Sequence, residues 1–284
     1  MYNGRLANEA RRKMTPQMLR IATRRYLGGE SSRRIATDLG FSHVLLCLYL
    51  RRAGLVRTMR ESLTRPCDER YFDRIDTEPK AYWLGFIAAD GCISRRRESG
   101  VLRLSILLAI KDAEHLRVFL ADVKSPIRIG PRGRTSGFGG KGSVGFALTS
   151  DRLTAALVHH GIVERKTRRL KFPALPDAMI PHFIRGYFDG DGCISPTGHG
   201  PSRGTFTMVG RVNFLRRVQQ ELNDRTLTAI GIRGHLAIGK HGNPDLAQIF
   251  YGGRRTLVAL YALLYQGGTR YLQRKHEIFY LLTH

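Results

Sequence analysis

Residues 82–94 read YWLGFIAADGCIS, and residues 183–195 read FIRGYFDGDGCIS. Aligned without gaps, they share Gly85/Gly186, Asp90/Asp191, Gly91/Gly192, Cys92/Cys193, Ile93/Ile194 and Ser94/Ser195. A repeat on this scale marks a duplicated supersecondary unit. The flanks agree with that reading. VLRLSILLAI (101–110) puts Leu102, Leu104, Ile106 and Leu108 on one face and Arg103 and Ser105 on the other, which is strand alternation. GTFTMVG (204–210) does the same, with Phe206 and Met208 inward and Thr205 and Thr207 outward. A helical segment follows each (KDAEHLRVFLADV; RVNFLRRVQQEL). Then come a Gly-rich, basic, hairpin-like region (127–149; 226–251) and another helix (151–161; 253–265). Each copy reads as helix, two strands, helix, two strands, helix, and a Pro-rich stretch at 172–181 joins them.

The spacing within the motif is informative. Gly85 and Ala89 lie four residues apart, as do Gly186 and Gly190. On a helix such positions stack on one face. Small residues there let two backbones come unusually close. Trp83, Phe86 and Ile87, and likewise Ile184, Tyr187 and Phe188, are left to face the core of their own copy. Two such helices side by side form a pseudo-two-fold axis. Gly91 and Gly192 are expected in the left-handed conformation just past each helix. Asp90 and Asp191 then meet at two helix C-termini, where the negative end of the dipole disfavours an anion. Neighbouring carboxylates also raise each other's pKa. A divalent cation removes both penalties, and hard oxygen donors with room for water and phosphate favour Mg²⁺. A lone Asp-Gly is a common turn dipeptide. Two copies with matching flanks in a basic chain call for another explanation.

These paired motifs, WLGFIAADG and IRGYFDGDG, resemble those of the LAGLIDADG homing endonucleases, over about residues 70–284. The resemblance implies an α+β fold in which two pseudosymmetric αββαββα repeats form a saddle of antiparallel sheet gripping duplex DNA. It implies a monomer with internal pseudo-two-fold symmetry. It also implies Mg²⁺-dependent cleavage of both strands across the minor groove. The family's metal-binding acids fall on Asp90 and Asp191, with Gly91 and Gly192 adjoining them in the expected metal site. At the earlier acidic position the second copy keeps Asp189, and the first has Ala88. Lys166 and Lys275 stand late in each copy, where similar family members carry a basic residue near the active site. Such a lysine either polarises the attacking water or stabilises phosphorane charge, or else it binds phosphate or is simply solvated.

Outward strand and hairpin residues are the expected DNA contacts. In the first copy they are Arg95, Arg97, Arg103, Ser105, Arg128, Arg132, Arg134 and Lys141. In the second they are Thr197, His199, Arg203, Thr205, Thr207, Arg233, His235 and Lys240. Arginine reads guanine edges bidentately, although most such arginines meet phosphate. His159, His160 and His241 show no metal-ligand spacing and read as solvated or phosphate-adjacent. Cys92 and Cys193 read as small core residues.

Composition supports a polyanionic partner. The 284 residues carry 47 Lys plus Arg against 23 Asp plus Glu, a formal charge of +24. Such an excess repels itself and normally persists opposite nucleic acid. No apolar run approaches the roughly 20 residues of a membrane span. The N-terminal MYNGRLANEARRKM lacks a signal-peptide core. Four widely spaced cysteines suggest neither a zinc ribbon nor a disulfide framework. The expected setting is intracellular, cytoplasmic or within an organelle.

Residues 1–60 are the most basic part, with 13 Lys or Arg against three acids. Thr15-Pro16 caps a helix carrying Met18, Ile21, Ala22 and Tyr26 at helical spacing. Ser31 caps a second helix, Gly40 breaks it, and Ser42 caps a third from about His43 to Arg52. Two short helices around a Gly turn suggest a small all-α helix-turn-helix domain. Ser42, His43 and the ends of the third helix would then face the major groove, and Arg33, Arg34, Arg51 and Arg52 would meet phosphates. The expected organisation is a helix-turn-helix domain at 1–62, a linker at 63–70, repeat 1 at 71–172 and repeat 2 at 173–284.

The function that follows is site-specific hydrolysis of both strands of double-stranded DNA, with Mg²⁺ on Asp90 and Asp191. Two alternatives stay open on the same fold. One is a non-cleaving transcriptional regulator, against which the retained acids count. The other is an RNA-binding intron maturase, against which the helix-turn-helix counts. The chain neither opens with Cys or Ser nor closes with His-Asn, so a self-splicing intein is not expected.

Overall fold

The computed structural model describes residues 15–57, 64–96, 99–131, 142–164, 166, 169–197, 204–232, 234–239 and 242–284. The chain divides into two compact units, Met1–Pro66 and Cys67–His284.

The described part of the first unit holds three helices, α1 (Pro16–Leu27), α2 (Ser32–Leu39) and α3 (His43–Arg52). The Thr15 hydroxyl accepts the Met18 N–H at 3.2 Å, and Pro16 opens α1. The Ser31 hydroxyl likewise accepts the Arg34 N–H at 3.2 Å. These bonds satisfy amides that the first helical turn leaves without partners. Gly40, at φ 69°, ends α2 in the left-handed conformation. Ser42 stands at the start of α3 but makes no side-chain capping bond, contrary to expectation. A small core of Ala22, Tyr26, Ile35, Ala36, Phe41, Leu46 and Leu50 binds the three helices.

The second unit is the duplicated part. Repeat 1 runs α4 (Glu78–Asp90), β1 (Gly91–Arg95), β2 (Leu102–Ala109), α5 (Ala113–Asp122), β3 (Gly130–Pro131), β4 (Ser143–Leu148) and α6 (Asp151–His159). Repeat 2 runs α7 (Ile180–Asp191), β5 (Gly192–Pro196), β6 (Gly204–Arg211), α8 (Val212–Leu222), β7 (His235–Ile238), β8 (Leu246–Gly252) and α9 (Arg254–Tyr265). This is the expected αββαββα order twice over. A further helix, α10 (Gln273–Thr283), was not expected. Each repeat builds its own antiparallel sheet, in the orders β1-β2-β4-β3 and β5-β6-β8-β7. The registers correspond, with Cys92 opposite Ser105 and Cys193 opposite Thr207. As the alternation requires, Leu104, Ile106 and Leu108 are buried on one sheet, and Phe206 and Met208 on the other.

The two repeats meet along α4 and α7. A Cβ on Gly85 would lie 2.0 Å from the Phe183 carbonyl oxygen, and one on Gly186 only 1.9 Å from that of Tyr82. Glycine is therefore compulsory at this crossing. Further along, a Cβ on Gly190 would lie 2.2 Å from Ala89 Cβ and 3.2 Å from Asp90 Oδ2. The stacked small residues thus seat two helix backbones against each other, and the acidic ends of α4 and α7 come together. The large neighbours turn into their own halves. Trp83 packs on Phe119 with ring centroids 5.1 Å apart, and Phe188 stacks on Phe206 at 4.4 Å.

Gly91 and Gly192 depart from expectation. Both are extended, at φ −71° and −98°, so each helix runs directly into its strand without a left-handed residue. Close approach explains them instead. A Cβ on Gly91 would meet Ile87 Cγ2 at 2.5 Å, and one on Gly192 would meet Phe188 Cδ2 at 2.3 Å.

Gly85→Ala or Gly186→Ala should destabilise the protein by about 3 kcal/mol or more, since overpacking here strikes backbone. Gly130→Ala, where a Cβ meets nothing within 4 Å, should change stability by less than about 1 kcal/mol. Thermal melts of the three variants test this, and equal melting temperatures would refute the crossing.

Candidate active site and nucleic-acid interface

The site grows from the C-terminal ends of α4 and α7. Their last residues are Asp90 and Asp191. Asp90 is partly buried and Asp191 is exposed at the surface. Desolvation, and then the charge of Asp191, push the Asp90 carboxyl up to about 6. Asp191 is raised as well, because protein crowds most of its surroundings even though its outer side is open. Asp90 thus feels the charge of Asp191, whereas the rise of Asp191 comes from burial.

The two lysines occupy matching places. Lys166 Nζ donates to the Ala88 carbonyl at 2.6 Å and to that of Ala89. Lys275 Nζ donates to Phe188 at 2.8 Å, Asp189 at 2.7 Å, Gly190 at 3.4 Å and Gly192 at 2.6 Å. Each ammonium therefore satisfies carbonyls that the helix end leaves unpaired and sits at the negative end of its dipole. Neither is a solvated surface charge. Burial brings Lys166 down to about 8, opposed by Asp191 and Asp90. Burial lowers Lys275 too. Both lysines in turn stabilise the ionised acids.

Three features were not legible in the motif. The first is Tyr187, whose hydroxyl donates to the Val209 carbonyl at 2.9 Å and whose proximity favours the ionised form of Asp191. Its counterpart in the first motif is Phe86. A cavity of about 260 Å³ opens there, lined by Lys166, Tyr187, Asp191 and Arg211 among others. The second is Asp189, which is only 1% exposed. Its Oδ2 accepts the Tyr82 hydroxyl at 2.8 Å and the Leu272 N–H at 2.6 Å. Tyr82 in turn bonds His115 Nε2 at 2.9 Å, so the second motif's extra acid is tied into the first repeat. The third is Arg185, fully buried, which donates to Glu78 on α4, to the Leu264 carbonyl, and to the Arg270 carbonyl at 2.9 Å.

The expected DNA contacts divide. Arg95, Arg128, Thr197 and His235 are exposed, and Arg103, Ser105, Thr205 and Thr207 are partly buried. Several are held by neighbours. Arg95 donates to the Gly100 carbonyl at 2.8 Å, Arg103 to Ser94 Oγ at 3.1 Å and Ser105 Oγ to the Cys92 carbonyl at 3.3 Å. Arg97, Arg132, Arg134, Lys141, His199, Arg203, Arg233, Lys240 and His241 lie outside the described residues. In the first unit Arg33, Arg34, Arg51 and Arg52 are exposed and Ser42 is partly so. His43 differs from expectation, because its Nε2 is engaged by Ser32 Oγ at 3.0 Å and Cys47 Sγ at 3.3 Å. His160 is also engaged, bonding the Phe72 carbonyl at 2.9 Å. Cys92 and Cys193 are exposed, not core residues. Ile93 and Ile194 point inward, and alternation turns their neighbours out.

Among the described residues, no three His, Cys, Asp or Glu side chains cluster to form a protein-only metal cage. The donor set is two carboxylates whose charge is incompletely compensated. That suits a hard cation which keeps waters and shares substrate phosphates. Gly192 fits less well as a ligand, since its carbonyl already accepts from Lys275. No described helix is long and apolar enough to cross a membrane.

No family model matches the chain, and no curated protein matches it in sequence. Solved structures similar to it include the I-SmaMI LAGLIDADG homing endonuclease bound to cleaved DNA, at 11% identity and a TM-score of 0.45, covering 70% of this chain and 85% of that one. They also include I-GzeII in complex with its DNA target, at 10% and 0.46, covering 70% and 87%. A third is the I-AabMI meganuclease bound to uncleaved DNA, at 16% and 0.44, covering 70% and 88%. These structures are described as LAGLIDADG enzymes, the family that the paired motifs of this chain resemble.

The raised Asp90 carboxyl has a consequence for stability. An acid whose folded-state pKa is raised costs stability when ionised, and the cost fades as pH falls from about 6 towards 3.8. In EDTA at pH 7.5, Asp90→Asn should therefore be more stable than the wild type by about 1–2 kcal/mol. The gap should close below about pH 4. Denaturant melts across this range check it, and a less stable variant at pH 7.5 contradicts the assignment.

Proposed function

We propose that this chain is a LAGLIDADG-type, site-specific DNA endonuclease that hydrolyses both strands of a duplex. The observation that carries the reading is the pair Asp90 and Asp191, at the ends of two helices packed backbone to backbone, each destabilised by burial and Asp90 further by its neighbour. A fold with no use for these charges gains by losing them. A Mg²⁺ ion held by the two carboxylates supplies the Lewis acidity that phosphodiester hydrolysis needs.

The protein's own groups do the rest. Lys166 and Lys275 offset the negative helix ends and favour the ionised form of both acids. They also set positive charge near the place where negative charge develops on phosphate. The outward faces of the two sheets, with Arg95, Arg103, Ser105, Thr205, Thr207 and His235, position the duplex through phosphate and base-edge contacts. The N-terminal unit, read as a helix-turn-helix domain, adds phosphate contacts and raises affinity by tethering.

The direct test incubates supercoiled plasmids carrying fragments of the source genome with the protein and either Mg²⁺ or Ca²⁺. Discrete double-strand breaks with Mg²⁺ alone are expected. Tight binding without cleavage under both ions would favour the regulator. Asp90→Asn and Asp191→Asn should each abolish double-strand cutting while leaving DNA affinity within about tenfold, because the phosphate contacts that dominate affinity lie elsewhere. A variant that cuts normally overturns the assignment.

Removing residues 1–62 should weaken binding and flatten its salt dependence, by about 0.9 in log–log slope for each phosphate that those residues neutralise. An unchanged slope means that this unit does not touch DNA.

A further inference from the structure

The outer face of α3 carries an unusual combination of side chains. Leu46 and Leu50 are buried, as a helix packed on its neighbours requires. The opposite side exposes Val44 (65%), Leu48 (50%) and Leu45 (37%). Arg51 and Arg52, also exposed, follow on the next turn. Exposed Arg33 and Arg34 stand on α2. A contiguous apolar patch on a soluble helix marks a contact surface. Of the two polar residues expected to read bases, His43 is withdrawn into bonds with Ser32 and Cys47, and Ser42 is only partly exposed. What α3 offers outward is mainly apolar: Val44, Leu45 and Leu48, with Tyr49 (37%) one turn from Leu45.

Charge narrows the choice of partner. Both described acids of this unit, Glu30 and Asp38, bond to Arg25, at 2.6 and 2.5 Å, and Asp38 also lies 3.9 Å from Arg34, which leaves Arg33, Arg51 and Arg52 without an acid among the described residues. The rim of exposed arginines around α3 is left positive. A second copy of the same face would bring arginines against arginines, and like charges penalise that pairing. The surface that alternates anionic rails with apolar groups is the DNA major groove. Between its phosphates the thymine C5-methyl is the one aliphatic feature of the base edges. Opposite G·C pairs, the same side chains would strip water from donors and acceptors and give nothing back.

We infer that α3 reads thymine methyl groups in the major groove through Val44, Leu45 and Leu48, while Arg33, Arg34, Arg51 and Arg52 hold the flanking phosphates. The inference rests on the reading of the N-terminal unit as DNA-binding and adds what that unit recognises.

The test uses the full chain in EDTA, so that nothing is cut. It compares poly(dA-dT) with poly(dA-dU), which differ by the methyl group alone. Wild type should bind the thymine polymer about fourfold more tightly for each methyl buried, hence more than tenfold for two. The salt slopes should be equal. Val44→Ala with Leu48→Ala changes exposed residues and should leave the melting temperature alone. It should shrink the preference to less than about twofold. Equal affinity of wild type for both polymers overturns the inference, and so does a preference that survives in the double variant. Self-association of wild type that the double variant abolishes also overturns it, in favour of a dimer face. Arg51→Ala with Arg52→Ala separates the two levels. If it weakens binding to both polymers while no methyl preference exists, only the thymine reading fails. If it changes neither affinity nor salt slope, the DNA-binding reading of the unit fails with it.

Discussion

The contact between α4 and α7 sets everything else in the second unit. Gly85 and Gly186 allow each helix to press on the other's backbone, at distances that leave no room for a methyl group. Helices this close must end together, so Asp90 and Asp191 are adjacent because of packing and not because anything binds them. The cost of bringing two carboxylates to two negative helix ends is thereby built into the fold. Two buried ammonium groups reduce it without cancelling it, since both acids stay raised.

The halves are alike in path and unlike in chemistry. Tyr187 answers Phe86, and Asp189 answers Ala88. Asp189 and Arg185, both on α7, reach the first repeat through Tyr82 and Glu78. Breaking either buried polar link would leave a charge without its partner, which is far costlier than lacking the pair altogether. Links of this kind bind one half to its complement and not to a copy of itself. A duplicated gene can thus drift away from a symmetric dimer and still keep its central crossing.

Much of this was legible in the sequence, because it depends on local rules. The motif repeat gave away the duplication, the four-residue spacing of small side chains the crossing, and the period-two alternation the inward faces of β2 and β6. The conformations of Gly91 and Gly192 were misread because two different demands, positive φ and close approach, select the same residue. The exposed cysteines could have been read correctly by extending the alternation back from Ile93 and Ile194. The roles of Lys166 and Lys275 could not. Lys275 lies more than 80 residues from the carbonyls it binds, and no periodicity encodes a contact of that range. His43 was misplaced for a similar reason, since its partner Ser32 sits on another helix.

The segment around α10 does more than carry Lys275. Arg270 grips Asp122 at 2.7 and 2.8 Å, and Arg274 bonds Asp112 at 3.0 Å, both acids belonging to the first repeat. Leu272, between them, donates its N–H to Asp189. One short stretch thus fastens both halves around the acids after all the strands have been made. On a ribosome the two motifs emerge long before it, and until it arrives Asp189 has Tyr82 but not the Leu272 N–H, and the carbonyls at the end of α7 lack Lys275. Order of synthesis therefore makes these contacts late additions to a crossing that the two motif helices specify without them.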